Sequence, residues 1–187
     1  INTTNMHCSP HFASLNNKLF FNASKVTEAY NLQPWICTNE NACAKEFIRV
    51  NSGTSSGLYA NPYFLSVVNN KMYFTAYDSI HGNCLWTTDG TASGTNQLVI
   101  PNKRDYVNQP SCACGSCPTY YYPSYSAFNN KFSFTGIDSA HGEDLWISDG
   151  TVAGTQLLKD IDPTVYGSGF GASSYPQNFV TVNNKLF

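Results

Sequence analysis

Phe128-Asn129-Asn130-Lys131-Phe132-Ser133-Phe134-Thr135-Gly136 runs through Asp138-Ser139-Ala140-His141-Gly142 into Leu145-Trp146-Ile147-Ser148-Asp149-Gly150-Thr151 and Gly154-Thr155. The same order of residues occurs once before. Val68-Asn69-Asn70-Lys71-Met72-Tyr73-Phe74-Thr75-Ala76 leads through Asp78-Ser79-Ile80-His81-Gly82 and Leu85-Trp86 to Asp89-Gly90-Thr91 and Gly94-Thr95. A degenerate copy opens at Asn16-Asn17-Lys18, and a further one opens at Asn183-Asn184-Lys185 and stops at Phe187. The four openings stand 53, 60 and 54 residues apart. A period of this size marks a repeat architecture, in which each unit buries its apolar face only against its neighbours.

One unit reads as four short strands. Ser124 to Phe128 leads into Asn129-Asn130, and asparagine tolerates the positive φ of a tight primed hairpin turn. Lys131 to Thr135 is the return strand, with Phe132 and Phe134 on one face. His141-Gly142 marks a loop, Asp144 to Ser148 is the third strand, and Thr155 to Ile161 is the fourth. At Asp149-Gly150, as at Asp89-Gly90, Asp accepts backbone N–H bonds and Gly supplies positive φ. Pro10, Pro62, Pro123 and Pro176 each precede an Asn-Asn turn, where proline suits the first residue of a strand. Trp35, Trp86 and Trp146 recur once per unit as packing anchors. No helical period appears. The expected fold is all-β, with about three and a half tandem four-stranded antiparallel blade-like repeats in a propeller-like ring or an open array. Residues 1–60 form a degenerate first repeat, 61–105 the second, 106–122 an insertion, 123–174 the third and 175–187 an unfinished fourth.

Leu145-Trp146-Ile147-Ser148-Asp149-Gly150-Thr151 and Leu85-Trp86-Thr87-Thr88-Asp89-Gly90-Thr91 resemble the Glu-Leu-Trp-x-x-Asp-Gly-Thr repeat of large secreted and surface proteins. The Glu of that pattern is Asp144 in one copy and Cys84 in the other. The resemblance implies blades similar to those of kelch-type propellers, and it implies no enzyme activity.

Charged residues make up 12% of the chain and the net charge is −2, which argues against a basic nucleic-acid-binding surface. No apolar run is long enough for a membrane helix. Seven cysteines point to an oxidising compartment. Trp35 to Cys43 aligns without gaps on Trp146 to Gly154, and the turn residues are replaced by a cysteine at each end. That predicts a Cys37–Cys43 disulfide stapling the hairpin. Cys8, Cys84, Cys112, Cys114 and Cys117 remain; five cannot all pair within one chain, so one is a thiol or bridges to a neighbour. Cys112, Cys114 and Cys117 also invite a metal reading, with Cys8 or Cys84 as fourth ligand, though their spacing favours disulfides. Asn2 and Asn22 head N-glycosylation sequons. The chain begins at Ile1, as a mature secreted or cell-surface protein would.

The recurring His81 with Asp78, and His141 with Asp138, could serve as a general base pair. Recurrence in register with the architecture favours a structural reading, with Asp capping a turn and His bonding a backbone carbonyl. Asp138, Glu143 and Asp144 could bind calcium but lack a strong calcium-loop pattern. No cofactor is expected. The stub Phe179 to Phe187 is apolar and alternating. It reads either as a fragment of a longer propeller or as an intersubunit strand, with Val180, Val182, Leu186 and Phe187 adding to a neighbour's sheet and Tyr120, Tyr121 and Tyr122 packing beside them. The leading functional expectation is a non-enzymatic glycoprotein subunit of a head-to-tail homopolymeric filament or appendage. The alternatives are a ligand-binding propeller module of an adhesin or receptor and, last, a propeller enzyme acting on glycans.

Overall fold

A computed structural model describes residues 12–25, 31–38, 45–50, 60, 62–78, 82–98, 124–167 and 169–187. These residues form an all-β protein of blade-like antiparallel meanders. The first blade contains β1 (Ala13–Leu15), β2 (Lys18–Ala23), β3 (Gln33–Cys37) and β4 (Lys45–Glu46). The second contains β5 (Tyr63–Val68), β6 (Lys71–Asp78), β7 (Gly82–Thr88) and β8 (Asn96–Leu98). The third contains β9 (Tyr125–Phe128), β10 (Lys131–Asp138), β11 (Gly142–Ser148) and β12 (Gln156–Lys159). A two-stranded hairpin, β13 (Thr181–Val182) and β14 (Lys185–Leu186), opens a fourth blade. In every sheet the strands pair in chain order. No helix among the described residues is long and apolar enough to cross a membrane.

The Asn-Asn turns are built as the residue type dictates. Asn16 and Asn17 have φ of 51° and 59°, and the pairs 69/70, 129/130 and 183/184 repeat those angles within a few degrees. Two consecutive positive φ values define the type I′ turn, whose twist matches that of the strands it joins. The return strand is longer than the sequence reading gave: β10 runs on to Asp138, whose partner is Gly142. The ladder therefore closes on a second tight turn at Ser139-Ala140-His141.

The blades stack face to face. The first strands β1, β5, β9 and β13 neighbour one another in turn, which places them along a common inner axis. Between the first two blades, Leu15, Phe20 and Ile36 meet Phe64, Met72, Phe74 and Ala76. Between the second and third, Val68, Tyr73, Leu85 and Leu98 meet Phe132, Phe134 and Trp146. Tyr73 and Phe132 stack across that interface at 4.4 Å and 9°. Trp35 and Trp146 are buried and Trp86 is partly so, in keeping with their role as anchors. Trp146 lies on Gly136, where an added Cβ would come within 2.8 Å of the indole.

Candidate functional site

The recurring polar residues are used first to build the blade. Asp149 Oδ1 accepts the Thr151 N–H at 2.9 Å and the Thr151 hydroxyl at 2.7 Å. The Gly154 N–H donates to Thr151 Oγ1 at 2.9 Å, and the Thr155 hydroxyl donates to the Thr151 carbonyl at 2.6 Å. Asp89, Thr91, Gly94 and Thr95 repeat every one of these bonds. Gly94 and Gly154 are required because a Cβ there would fall 2.2 Å or less from the Asp carboxylate. The Thr hydrogen bonds hold Asp89 and Asp149 below the usual carboxylate range.

Each Asp-Gly-Thr turn is in turn gripped by the blade before it. Lys18 Nζ donates to the Gly90 carbonyl at 2.9 Å, and Asn16 Nδ2 to the Asp89 carbonyl at 3.3 Å. Lys71 Nζ donates to the carbonyls of Asp149 at 3.2 Å and Gly150 at 3.4 Å. Gly90 and Gly150 take φ of 91° and 85°. A second tie lies four residues after Lys18 and after Lys131. Asn22 Nδ2 donates to the Pro62 carbonyl, and the Thr135 hydroxyl donates to the Pro176 carbonyl at 2.8 Å. Sequence reasoning placed Lys and Asp-Gly in separate turns and missed this tie between them. The signal was present in their strict co-occurrence in both complete copies.

Of the two His–Asp pairs, His81 lies outside the described residues and Asp78 accepts from Gln97, while Asp138 and His141 bond within their own turn. Asp138 Oδ1 accepts the N–H groups of Ala140 and His141 at 2.9 and 2.7 Å, capping the turn. His141 Nδ1 bonds the same carboxylate at 2.9 Å, where a backbone carbonyl had been expected. That bond pushes the His141 pKa upward. Asp144 is fully buried, and burial pushes its pKa up. Asp138, Glu143 and Asp144 do not converge on one cation position.

Other expected site residues are placed as follows. Cys37 is half of a disulfide. Among the five cysteines that could not all pair, Cys84 is a buried thiol in strand β7; it stands where the third blade has Asp144. Cys8, Cys43, Cys112, Cys114, Cys117, Asn2, Tyr120, Tyr121 and Tyr122 lie outside the described residues. The Asn22 amide nitrogen, to which a glycan would be joined, is the donor to Pro62 between the first two blades.

The terminal strand is engaged within its own chain. The Thr181 hydroxyl donates to the Ala127 carbonyl at 2.7 Å and lies 3.0 Å from Ser126 Oγ. Asn178 N–H donates to Ser124 Oγ at 2.9 Å. Residues 175–187 thus begin a fourth blade docked on the third; of the two readings the sequence left open, a piece of a longer propeller and an intersubunit arm, this contact inside the chain fits the first.

One concave feature among the described residues is an open cleft of about 430 Å³ at the turn end of the inner strands. Val67, Val68 and Ala127 supply its apolar wall. Asn69, Asn129, Asn130 and Asn184, from the turns of three successive blades, supply its polar rim together with Thr181. The four asparagines are exposed. The lining holds carboxamides, a hydroxyl and aliphatic groups, a set that offers hydrogen bonds in both directions to a neutral ligand.

No family model and no curated protein sequence matches this chain. Two solved structures are similar to it. One is a protein assigned as an exo-beta-1,3-galactanase from Bifidobacterium bifidum s17, 10% identical, with a TM-score of 0.38, covering 88% of this chain and 56% of its own. The other is an alpha-L-arabinofuranosidase from Clostridium thermocellum ATCC 27405, 14% identical, with a TM-score of 0.38, covering 85% and 56%. This chain therefore spans little over half the length of either. The filament-subunit function expected from the sequence is corrected here. The strand meant to join subunits is used inside the chain.

Proposed function

We propose that the protein is a non-enzymatic ligand-binding module of an extracellular propeller-like array, and that the asparagine-rimmed cleft is its binding surface. The observation that carries this reading is the convergence of Asn69, Asn129, Asn130 and Asn184 on one cleft. Each sits in a type I′ turn whose backbone is fixed by the architecture itself, so the four attachment points of the amides are set before a ligand arrives. An apolar wall beside a carboxamide rim suits a neutral ligand with hydroxyl or amide groups against a C–H face. The Cys37 disulfide supports an oxidising, extracellular setting.

A glycan array and saturation-transfer NMR with neutral oligosaccharides test the reading. Glycine preserves the positive φ of the turns while removing the amides. Asn130→Gly with Asn184→Gly should leave the fold intact and abolish saturable binding. Equal binding by that variant, or release of reducing ends from the same oligosaccharides by the parent protein, would overturn the proposal.

A further inference from the structure

The register of the third blade sets two carboxylates against each other. Leu145 pairs with Lys159 across the antiparallel strands β11 and β12, so the next rung outward brings Asp144 opposite Asp160. Like charges directly opposite one another destabilise a sheet, and Asp144 is 0% exposed. Its Oδ1 accepts the Ile161 N–H at 3.3 Å, while its buried Oδ2 has no hydrogen-bond partner among the described residues. Asp160 Oδ1 and Ser174 Oγ are buried and unpartnered in the same way. Ser174 is held beside the pair because its N–H donates to the Glu143 carbonyl at 2.9 Å. The Asp160 charge and the Ser174 hydroxyl both act on the Asp144 carboxylate. The imidazole that bears on Asp144, His141, is bonded through Nδ1 to Asp138 at 2.9 Å. The second blade has Cys84 at the register position of Asp144, so the repeat scaffold does not itself require a carboxylate there.

We propose that Asp144 Oδ2, Asp160 Oδ1 and Ser174 Oγ are ligands of a calcium ion. Buried polar atoms are otherwise hydrogen-bonded, and three buried oxygens without partners at one place call for a ligand that accepts their lone pairs. Two opposed carboxylates match a divalent charge, and an all-oxygen set selects a hard cation. Calcium takes a flexible shell of carboxylate, hydroxyl and water oxygens, whereas magnesium demands near-octahedral geometry and holds on to its waters. The set differs from the Asp138, Glu143 and Asp144 group read in the sequence. Asp138 is occupied by its own turn, and Glu143 alternates to the other face of β11. The ligands come from β11, from the residue after β12 and from the lead into the fourth blade, so the ion fixes the connection between the last two blades.

The test compares melting of the whole chain in EDTA and in calcium chloride. Calcium at about tenfold excess over its Kd should raise the melting temperature by about 3–6 °C. The double variant Asp144→Asn with Asp160→Asn should melt no lower than the parent in EDTA, because two opposed charges are gone, and should show no calcium shift. Asp162→Asn, an exposed control, should keep the full shift. Terbium luminescence gives a readout independent of stability. Trp146 lies two residues from Asp144 on the same face of β11, so excitation of the indole should sensitise terbium in the parent, with the signal displaced by calcium and lost in the double variant. Ser174→Ala, which keeps both carboxylates, should bind calcium about five- to tenfold more weakly. A parent indifferent to calcium in melting and in terbium displacement would overturn the site, and would mean that water or a shared proton satisfies the three oxygens. An equal calcium shift in the double variant would overturn it as well. Equal stabilisation by magnesium would overturn the choice of calcium.

Discussion

Two glycines with similar φ sit in very different surroundings. Gly90 has φ of 91°, and a Cβ there would meet nothing nearer than Lys18 Nζ at 3.6 Å. Gly142 has φ of 73°, and a Cβ would strike the Ala172 carbonyl oxygen at 2.3 Å. Alanine at either position bears the left-handed cost of about 1–2 kcal/mol, but at Gly142 the backbone must also move. Gly142→Ala should therefore lower the midpoint in urea clearly more than Gly90→Ala, measured side by side; equal losses would mean that φ alone matters. A second prediction concerns Asp144. Its Oδ1 takes the Ile161 N–H at 3.3 Å, while its buried Oδ2 has no partner among the described residues. Burial raises its folded pKa above the unfolded value. The charged form is thus penalised in the fold, and the penalty grows as pH climbs through the unfolded pKa near the ordinary carboxylate value. Asp144→Asn should raise the melting temperature at pH 7 and leave it unchanged near pH 3, where both forms are neutral. A drop at pH 7 would show that the carboxylate charge is in use.

The hairpin is the element in which local chemistry and packing meet. Thr88 and Thr95, or Ser148 and Thr155, bridge its two strands by hydroxyl contacts of 2.7 and 2.8 Å. The Asp-Gly-Thr turn is thereby rigid before any neighbour arrives, and its carbonyls stand ready for the preceding lysine. Lys71→Met removes the donor to Asp149 and Gly150 but keeps the aliphatic stem. The expected cost is about 1 kcal/mol for a partly exposed hydrogen bond, read from urea unfolding. Asp149→Asn leaves those carbonyls in place and should change the Lys71→Met effect little. A large coupling between the two substitutions would mean that side-chain charge, not the carbonyls, binds the lysine. Much of this was legible in sequence, because Asn-Asn, Asp-Gly and Gly-Thr each impose a backbone conformation through their own residue type. The pairing of Lys with the next blade's turn was not, since its partners are 72 to 79 positions apart.

Stacked blades make the whole molecule a chain of nearest-neighbour interfaces. Phe132 is fully buried in the cluster between the second and third blades and touches nothing in the cluster between the first and second. Phe132→Ala should cost about 3–5 kcal/mol. Hydrogen exchange should then accelerate in β9–β12 while the amides of β2 and β3 keep most of their protection. Uniform acceleration would show that the blades unfold as one unit. At this scale the sequence by itself determined the all-β class, the Asn-Asn and Asp-Gly turns and the tryptophan anchors, because residue type and spacing dictate φ and face over a few positions. It also left the terminal stub open to two readings. Only the tertiary structure decided that the stub docks on its own third blade, that Cys84 is a buried thiol, that the asparagine turns of three blades meet at one cleft, and that each lysine holds the turn of the blade that follows. Those facts depend on how separate sheets rotate and stack, and that is set by side-chain shape across an interface, which no local pattern along the chain encodes.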